Sequence, residues 1–235
     1  MIILIVIIFK VNKAIITVEY VLTPPELPKY QKLDTKYINQ TGWGKHDKEW
    51  FYHVSQGTAT LPVPYQWLIA LEEPAAGPWW ALLPFGSSPR YMDEYILRLG
   101  FIQSETPGKM PIGIAKTESI YFAGLDRKAT AAGFNCSACH TGQLVHDKIR
   151  YVIDGGPAMI DLGLLTSSLG ASLGQTALSS KLIWPLNRRF DHFAKNVLGS
   201  NYNVITKERL KTDLTSTLKE LSKHSDVVNV TEGFT

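Results

Sequence analysis

FNCSACHTG, residues 134–142, contains both cysteines of this 235-residue chain, and we begin from it because it suggests both a fold and a chemistry. Cys136 and Cys139 lie three positions apart, and His140 follows at once. This Cys-x-x-Cys-His spacing is typical of a c-type haem attachment site, in which two thiols bind the porphyrin as thioethers and the histidine coordinates the iron. Two intervening residues suit one turn of helix, so the motif predicts a covalent haem held by these three side chains.

Chance explains the motif poorly. The chain has two cysteines and six histidines, so the pattern arises by chance about twice in ten thousand sequences of this composition, which limits the false-positive risk of a short motif. Three other interpretations stay open. A zinc site usually needs four Cys or His ligands, and only His146 lies close by in sequence. A thioredoxin-like dithiol is typical of a βαβ setting, and the two cysteines could also be an inert buried pair.

The composition is that of a globular protein without a strong electrostatic preference. Hydrophobic residues make up 45% and charged residues 19%, which allows a sizeable buried core. The net charge is only +3, from 24 basic and 21 acidic residues scattered along the chain, so we expect no nucleic-acid partner. If both cysteines are bound to haem, no disulfide is available.

The first residues form an unbroken apolar run, MIILIVIIF over residues 1–9. The run is too short to span a bilayer alone, which takes about 20 residues, and it resembles the apolar part of a secretory signal or signal anchor. A buried N-terminal strand stays open as an alternative. We therefore expect a signal or membrane-anchor segment over residues 1–22, a Pro-rich linker over 23–29 and a haem c domain over 30–235. Because haem c is attached outside the cytoplasm, we expect a periplasmic or secreted protein, anchored to the inner membrane if this segment is retained.

The hydrophobic spacing predicts mostly helices. Together with the haem motif, we expect a mainly α fold, a cytochrome c-like haem domain with long irregular loops. Residues 143–145 and 149–153 flank a short polar turn and predict one small β-hairpin after the haem motif. Residues 111–116 could form a strand or an extended loop. Helices are predicted over residues 45–56, 65–71, 89–99, 159–171, 182–198 and 206–223.

Two sets of side chains could contribute to a haem pocket. Three basic residues lie shortly before the motif, and one of them could bind a haem propionate. The alternative is that they are solvated surface charges. They are Lys116, Arg127 and Lys128. The loop over residues 75–88 carries three aromatic residues that suit either a pocket for an apolar substrate or plain packing against the core: Trp79, Trp80 and Phe85.

The sixth ligand of the iron decides between electron transfer and oxygen chemistry. A tight Met or His favours electron transfer, and a vacant position favours dioxygen or peroxide. Met159 is predicted on the apolar face of a helix, as a core residue, and His146 in a solvent-facing turn. Because no candidate stands out, we favour an open or water-bound site. The candidates are Met92, Met110, Met159, His53, His146 and His192.

Three blocks of sequence together resemble one family. They are residues 134–144 (FNCSACHTGQL), residues 153–158 (IDGGPA), and residues 52–58 (YHVSQGT) followed by 64–72 (PYQWLIALE). The chain from residue 30 onward is similar to the di-haem cytochromes c related to bacterial rubber oxygenase, distant kin of the di-haem cytochrome c peroxidases.

The resemblance implies a mostly helical, secreted or periplasmic protein whose first haem is attached at Cys136 and Cys139 with His140 as axial ligand. No second Cys-x-x-Cys-His is present, and family members continue beyond this chain's end toward their second haem, so we expect a truncated gene or fragment. The expected function is that of a c-type cytochrome with one haem and its iron, resembling the oxygen-binding haem domain of these oxidoreductases. Its partners would be a redox protein or a small apolar substrate, with O2 or peroxide. The alternative is a simple periplasmic electron-transfer cytochrome c.

Overall fold

A computed structural model of the chain describes residues 27–57, 59–61, 63–75, 88–183 and 185–224, with side chains described as far as residue 221. The segment predicted as a signal or anchor, most of the Pro-rich linker and the aromatic loop with Trp79, Trp80 and Phe85 lie outside the described residues. Among the helices in the described ranges, none has both the length and the apolar character needed to cross a membrane.

The described chain is a mixed α/β structure, so the prediction of a mainly α, cytochrome c-like domain was wrong. A two-stranded antiparallel sheet pairs β2 (Ile114–Phe122) with β3 (Arg127–Phe134). A three-stranded sheet consists of β1 (Asp34–Ile38), β4 (Thr141–His146) and β5 (Ile149–Asp154), in the order β1-β5-β4. The strand β1 runs parallel to β5, whereas β4 and β5 are antiparallel.

The predicted helices are present, with shifted bounds. The helix predicted over residues 89–99 begins as a π-helical turn, Tyr91–Tyr95. The helix predicted over residues 159–171 begins at Leu162 rather than at residue 159. A 3-10 turn, Gly199–Asn201, joins the last two helices. In chain order the helices are α1 (Lys45–His53), α2 (Tyr65–Ala70), α3 (Ile96–Arg98), α4 (Cys136–Cys139), α5 (Leu162–Ser179), α6 (Arg188–Leu198) and α7 (Val204–His224).

The strand β3 explains why the fold class was mispredicted. Its sequence, RKATAAGF, is rich in alanine, which favours helix. Ala131 and Ala132 are fully buried, and their small side chains let the preceding chain approach closely. Pro64 pairs with Ala131 in an isolated bridge, and the Leu61 amide donates to the Ala132 carbonyl over 3.2 Å. These packing contacts override the local preference, as is common in strands.

The small β-hairpin predicted after the cysteine motif is confirmed, with strands longer than the predicted residues 143–145 and 149–153. Its six residue pairs run from Thr141 and Asp154 to His146 and Ile149. Asp147 and Lys148 form the two-residue turn, with φ of 47° and 61°. Positive φ at both central positions is the mark of a type I′ turn, whose twist matches that of the strands it joins.

Two apolar clusters form the core, and the cysteine motif lies where they adjoin. The smaller cluster lies beneath the three-stranded sheet and includes Tyr52, Ile112 and Val152. The larger cluster lies among the helices and reaches β2 at Ile114. Gly113 therefore separates the two clusters, and it touches α4. The largest fully buried side chains of the larger cluster are Leu68, Leu71, Tyr91, Ile96, Leu99, Phe101, Ile114, Leu173, Phe190, Phe193 and Leu214.

We expect the double substitution Asp147→Asn and Lys148→Gly to stabilise the fold. An L-residue in the left-handed region costs about 1 kcal/mol or more, and Asn-Gly is the preferred pair for a type I′ turn, so the free energy of unfolding should rise by about 1 kcal/mol. Urea titration followed by circular dichroism measures this change. Lys148→Ala keeps the Cβ atom and serves as the control. Equal stability of the double variant and the wild type would contradict the assigned turn.

Candidate functional site

The motif predicted to bind haem folds as a single helical turn on the surface. α4 contains Cys136 and Cys139, which are exposed and not joined in a disulfide. His140 follows the helix and is also exposed. The two residues between the cysteines, Ser137 and Ala138, are only 1% and 3% exposed. The turn therefore packs its middle against the core and leaves both thiols and the imidazole accessible.

The two thiols and the imidazole are accessible, and in the part of the chain that the structure describes they do not form a metal-ion cluster. Within the described residues, no three Cys, His, Asp or Glu side chains gather around a point that could hold a metal. A zinc site would need such a cluster, and His146 stands at the far end of β4, about 17 Å along the strand from Thr141. A c-type haem takes its two sulfurs at the porphyrin rim and its nitrogen at the iron, so it needs accessible groups that are separated.

Asn135 fastens the beginning of α4 to the end of α1. Its side-chain oxygen caps the helix, accepting from the Ser137 amide at 3.1 Å and the Ser137 hydroxyl at 2.7 Å. Its amide nitrogen donates to the carbonyls of Phe51 and Val54, both at 3.1 Å. Asn135 is only 6% exposed. Sequence reasoning did not single out this residue, although Asn before a short helix is a common N-cap.

Gly113 lets the chain beneath α4 approach it directly. Its φ is +92°, and a Cβ atom added there would lie 2.4 Å from the Ala138 Cα. Its amide donates to the Tyr52 carbonyl at 3.1 Å, and its carbonyl accepts from the Asn135 amide at 3.0 Å. Only glycine satisfies both the conformation and the spacing, so this position fixes the height at which α4 lies on the core.

The far end of the motif is held by the segment after β5. The Gly155 amide donates to the His140 carbonyl at 2.8 Å, and the Ala158 amide donates to the Cys139 carbonyl at 3.1 Å. A Cβ atom on Gly142 would lie 2.6 Å from the Pro157 carbonyl oxygen. The backbone that carries the second thiol and the imidazole is therefore fixed on both sides.

These contacts bring the three resembling sequence blocks together. The block at residues 52–58 supplies the carbonyls of Tyr52 and Val54, which bind the Gly113 amide and Asn135. The block at residues 153–158 supplies the amides that bind the motif's own carbonyls. The structure thus places residues far apart in sequence around one turn of helix.

A buried polar pair lies behind the motif. The Tyr52 hydroxyl donates to Asp154 Oδ1 at 2.7 Å, and the two residues are 1% and 4% exposed. Burial raises the pKa of Asp154, and burial together with the hydrogen bond to Asp154 raises the pKa of Tyr52. Asp154 Oδ2 and the hydroxyl of Thr141, its partner across the β4–β5 ladder, have no hydrogen-bond partner among the described residues.

Two of the six candidate sixth ligands lie close to the motif. Met159 precedes α5 and is 73% exposed, so the prediction that it is a core residue on a helix face was wrong. It follows Ala158, whose amide is bound to Cys139. His53 ends α1 next to the carbonyls that bind Asn135. It is half-buried, its Nε2 lies 3.3 Å from the Ser104 hydroxyl, and burial lowers its pKa.

The other candidates are placed elsewhere. Met92 and Met110 are partly buried against the helical cluster. His146 is exposed at the outer end of the hairpin, as the sequence predicted. His192 lies on α6, where its Nδ1 is 3.1 Å from Glu72 Oε1.

The three candidate propionate partners differ in their distance from the motif. Arg127 and Lys128 begin β3, about 20 Å along the strand from its end at Phe134. Arg127 is also paired with Asp213 at 2.5 Å. Lys116 lies opposite Ala132, near the end of β3 that leads into the motif, and is exposed with its ammonium 4.3 Å from the centre of the Tyr65 ring. Lys116 is therefore the basic residue of this set placed nearest to the motif.

Comparison with known proteins finds a bacterial relative. A protein of Sinorhizobium fredii described as uncharacterized protein y4iJ is 33% identical over 228 aligned residues, which cover 89% of this chain and 35% of the relative. The chain thus spans about a third of the length of the curated relative that it matches. No family model matches the chain, and no solved structure matches it significantly. The function is therefore argued from the site itself.

We expect Gly113→Ala to destabilise the fold far more than a glycine substitution that meets open space. The new methyl group would push α4 off the core, so the free energy of unfolding should fall by about 3 kcal/mol, from the left-handed backbone and the overpacking together. Gly108→Ala is the matched control, because Gly108 has φ of +78° and nothing within 4 Å of an added Cβ. Chemical denaturation measures both. Equal losses in the two variants would contradict the close contact between Gly113 and α4.

Proposed function

We propose that the chain is a c-type haem protein that carries one covalent haem at Cys136, Cys139 and His140 and performs redox chemistry on dioxygen or peroxide. The observation that carries the proposal is the exposure of two unbridged thiols, one helical turn apart, beside an exposed imidazole. Buried or paired groups could not take up a macrocycle without unfolding the turn. Here the turn is already built and its reactive atoms face outward.

Each residue of the motif has a separate part in holding the haem. Cys136 and Cys139 would hold the porphyrin as thioethers, and His140 would coordinate the iron. A haem bound there supplies an iron that changes oxidation state and binds dioxygen or peroxide where its sixth position is vacant. Asn135 and Gly113 keep the turn in one place, so the groups that hold the cofactor rest on a fixed support.

Kinship with the di-haem cytochromes related to bacterial rubber oxygenase is part of the proposal. The hydrogen bonds that join the motif to residues 52–58 and 153–158 support it, because parts of the three resembling blocks adjoin in space. The mainly helical architecture that the resemblance implied does not hold for the described residues. The kinship therefore rests on the blocks rather than on the fold class.

The proposed chemistry also implies a compartment and partners. Covalent haem attachment takes place outside the cytoplasm, so we propose a periplasmic or secreted protein. Its redox chemistry calls for a redox partner protein or a small apolar substrate in addition to dioxygen or peroxide. Lys116 is the residue that we propose as a partner of a haem propionate, because it is an exposed cation near the motif.

Expression with the bacterial c-type haem maturation system should yield a chain whose mass has increased by one haem. The denatured protein should give a pyridine haemochrome spectrum of the c type. Cys136→Ser and Cys139→Ser should each leave one thioether and shift that spectrum toward that of a haem with a free vinyl group. The double variant should carry no covalent haem. An unmodified wild-type mass under conditions in which a control cytochrome c matures would refute the proposal.

A simple electron-transfer cytochrome is the second candidate, and the position of Met159 favours it. This methionine is exposed, and the amide of its neighbour Ala158 donates to the Cys139 carbonyl, so the backbone that carries Met159 lies beside the motif. A methionine on the sixth position would close the iron to external ligands.

Ligand titration separates the two functions. We expect carbon monoxide to bind the reduced protein and cyanide the oxidised protein rapidly, with equal rates in Met159→Leu and in the wild type, because the proposed site is open. His53→Gln is the companion variant, since His53 is the other candidate near the motif. If the wild type ignores both ligands and Met159→Leu or His53→Gln binds them at least about tenfold faster, the protein is an electron carrier closed by that residue.

A further inference from the structure

We infer that Tyr52 and Asp154 form a redox-active pair, in which the phenol of Tyr52 is oxidised by one electron while its proton passes to the Asp154 carboxylate. The inference deepens the proposed function, because the electron acceptor is a peroxide reduced at the haem. It adds a second redox centre, on the protein itself, to the one at the motif.

The geometry of the pair suits a coupled transfer. The Tyr52 hydroxyl lies 2.7 Å from Asp154 Oδ1, which is within the normal range for an O–H···O bond and already aligns the proton with its acceptor. Both side chains are buried, so water does not compete for the proton or quench the radical. Asp154 Oδ2 has no partner in the described chain, so the carboxylate keeps acceptor capacity that the fold does not use.

The charged groups around the pair come from α1 and the loop before β2. The Lys48 ammonium is buried 5.6 Å from the centre of the Tyr52 ring and binds Glu105 Oε2 at 2.6 Å. The Tyr37 ring lies under the same ammonium at 4.7 Å. Lys48 lowers the pKa of Asp154, although the larger effect of burial raises it. The carboxylate thus has one compensating cation nearby and is a stronger base than an exposed aspartate.

A short bonded path joins the pair to the proposed iron ligand. The path crosses the 2.7 Å hydrogen bond from Tyr52 to Asp154, follows the chain to Gly155 and crosses the 2.8 Å hydrogen bond from the Gly155 amide to the His140 carbonyl. On the other side, the Tyr52 carbonyl accepts from the Gly113 amide directly beneath α4. Tyr52 is therefore connected to the motif through its side-chain hydroxyl and through its backbone carbonyl.

The step balances as one electron and one proton. The O–H bond of Tyr52 breaks, the proton forms a new O–H bond on Asp154, and a neutral phenoxyl radical remains. Hydrogen peroxide would become two molecules of water on receiving two electrons and two protons, with one electron from the phenol, one from the reduced haem and both protons from solvent. Two electrons from a redox partner protein, one for the haem and one for the phenoxyl radical, together with the proton on Asp154, would then restore the starting state.

The chain offers a matched control in a second tyrosine–aspartate pair. The Tyr121 hydroxyl donates to Asp126 Oδ1 at 2.5 Å, but Tyr121 is 57% exposed and lies at the far end of β2 from the motif. The two pairs share their chemistry and differ in burial and in connection to His140. Tyr121→Phe thus tests whether the position of Tyr52 matters.

The test is freeze-quench electron paramagnetic resonance of the haem-loaded protein after reaction with hydrogen peroxide, with ring-deuterated tyrosine to identify the radical. We expect a tyrosyl signal in the wild type and in Tyr121→Phe, and none in Tyr52→Phe. Asp154→Asn keeps an oxygen that accepts the hydrogen bond but loses its basicity, so the radical should form about 100-fold more slowly, as for loss of a positioned base. A signal that persists in Tyr52→Phe, or a wild type that carries haem and gives no tyrosyl signal, would overturn the inference.

Failure of the proposed function would be recognised separately, by the absence of covalent haem. In that case the pair is tested in the haem-free chain, with a ruthenium(III) complex generated by a light flash as the one-electron oxidant. The slow, buried component of phenoxyl absorbance should disappear in Tyr52→Phe and form more slowly in Asp154→Asn. Identical kinetics in the wild type and in both variants would refute the redox-active pair, whatever the fate of the haem.

Discussion

The candidate site depends on the docking of a helix that is too short to be stable alone. α4 spans only Cys136–Cys139, whereas isolated helices shorter than about 12–15 residues are marginal in water. Contacts with other parts of the chain stabilise it. They are the hydrogen bonds of the Asn135 side chain, the close contact with Gly113, and the amides of Gly155 and Ala158 after β5. The exposed side chains of the motif therefore rely on hydrogen bonds and close contacts with three other parts of the chain: the end of α1, Gly113 and the segment after β5.

Local features of this protein could be predicted from the sequence. The motif, the β4–β5 hairpin and the positions of the long helices follow from spacings of a few residues, and each has a local physical cause. The remaining strands have distant causes. β1 finds its partner only at β5, and β3 becomes a strand because its small alanines fit under Pro64 and Leu61. The fold class was mispredicted because the hydrophobic spacing within a short segment carries no information about contacts with distant residues.

The residues of the candidate site also fall into those that could be predicted from the sequence and those that could not. The three residues that would hold a haem are contiguous and could be named from the sequence. Gly113 and the Tyr52–Asp154 pair act through a single close contact or across about a hundred residues, so their local sequence did not mark them. The N-cap position of Asn135 had a local signal, but its hydrogen bonds to the end of α1 span eighty residues or more. Met159 was misplaced because its apolar spacing continued that of α5, although the helix begins only at Leu162. An exposed methionine before a helix and a buried one on it have the same local pattern.

The parallel pairing of β1 with β5 also sets an order of assembly. The β4–β5 hairpin closes a two-residue loop, which takes microseconds, whereas β1 must find a partner more than a hundred residues away. β1 pairs with no other strand in the described chain, so we expect it to dock on β5 after the local hairpin has formed. It lies on the opposite side of β5 from β4, the strand that follows the motif. Release of this N-terminal segment of the described chain would expose one edge of the sheet.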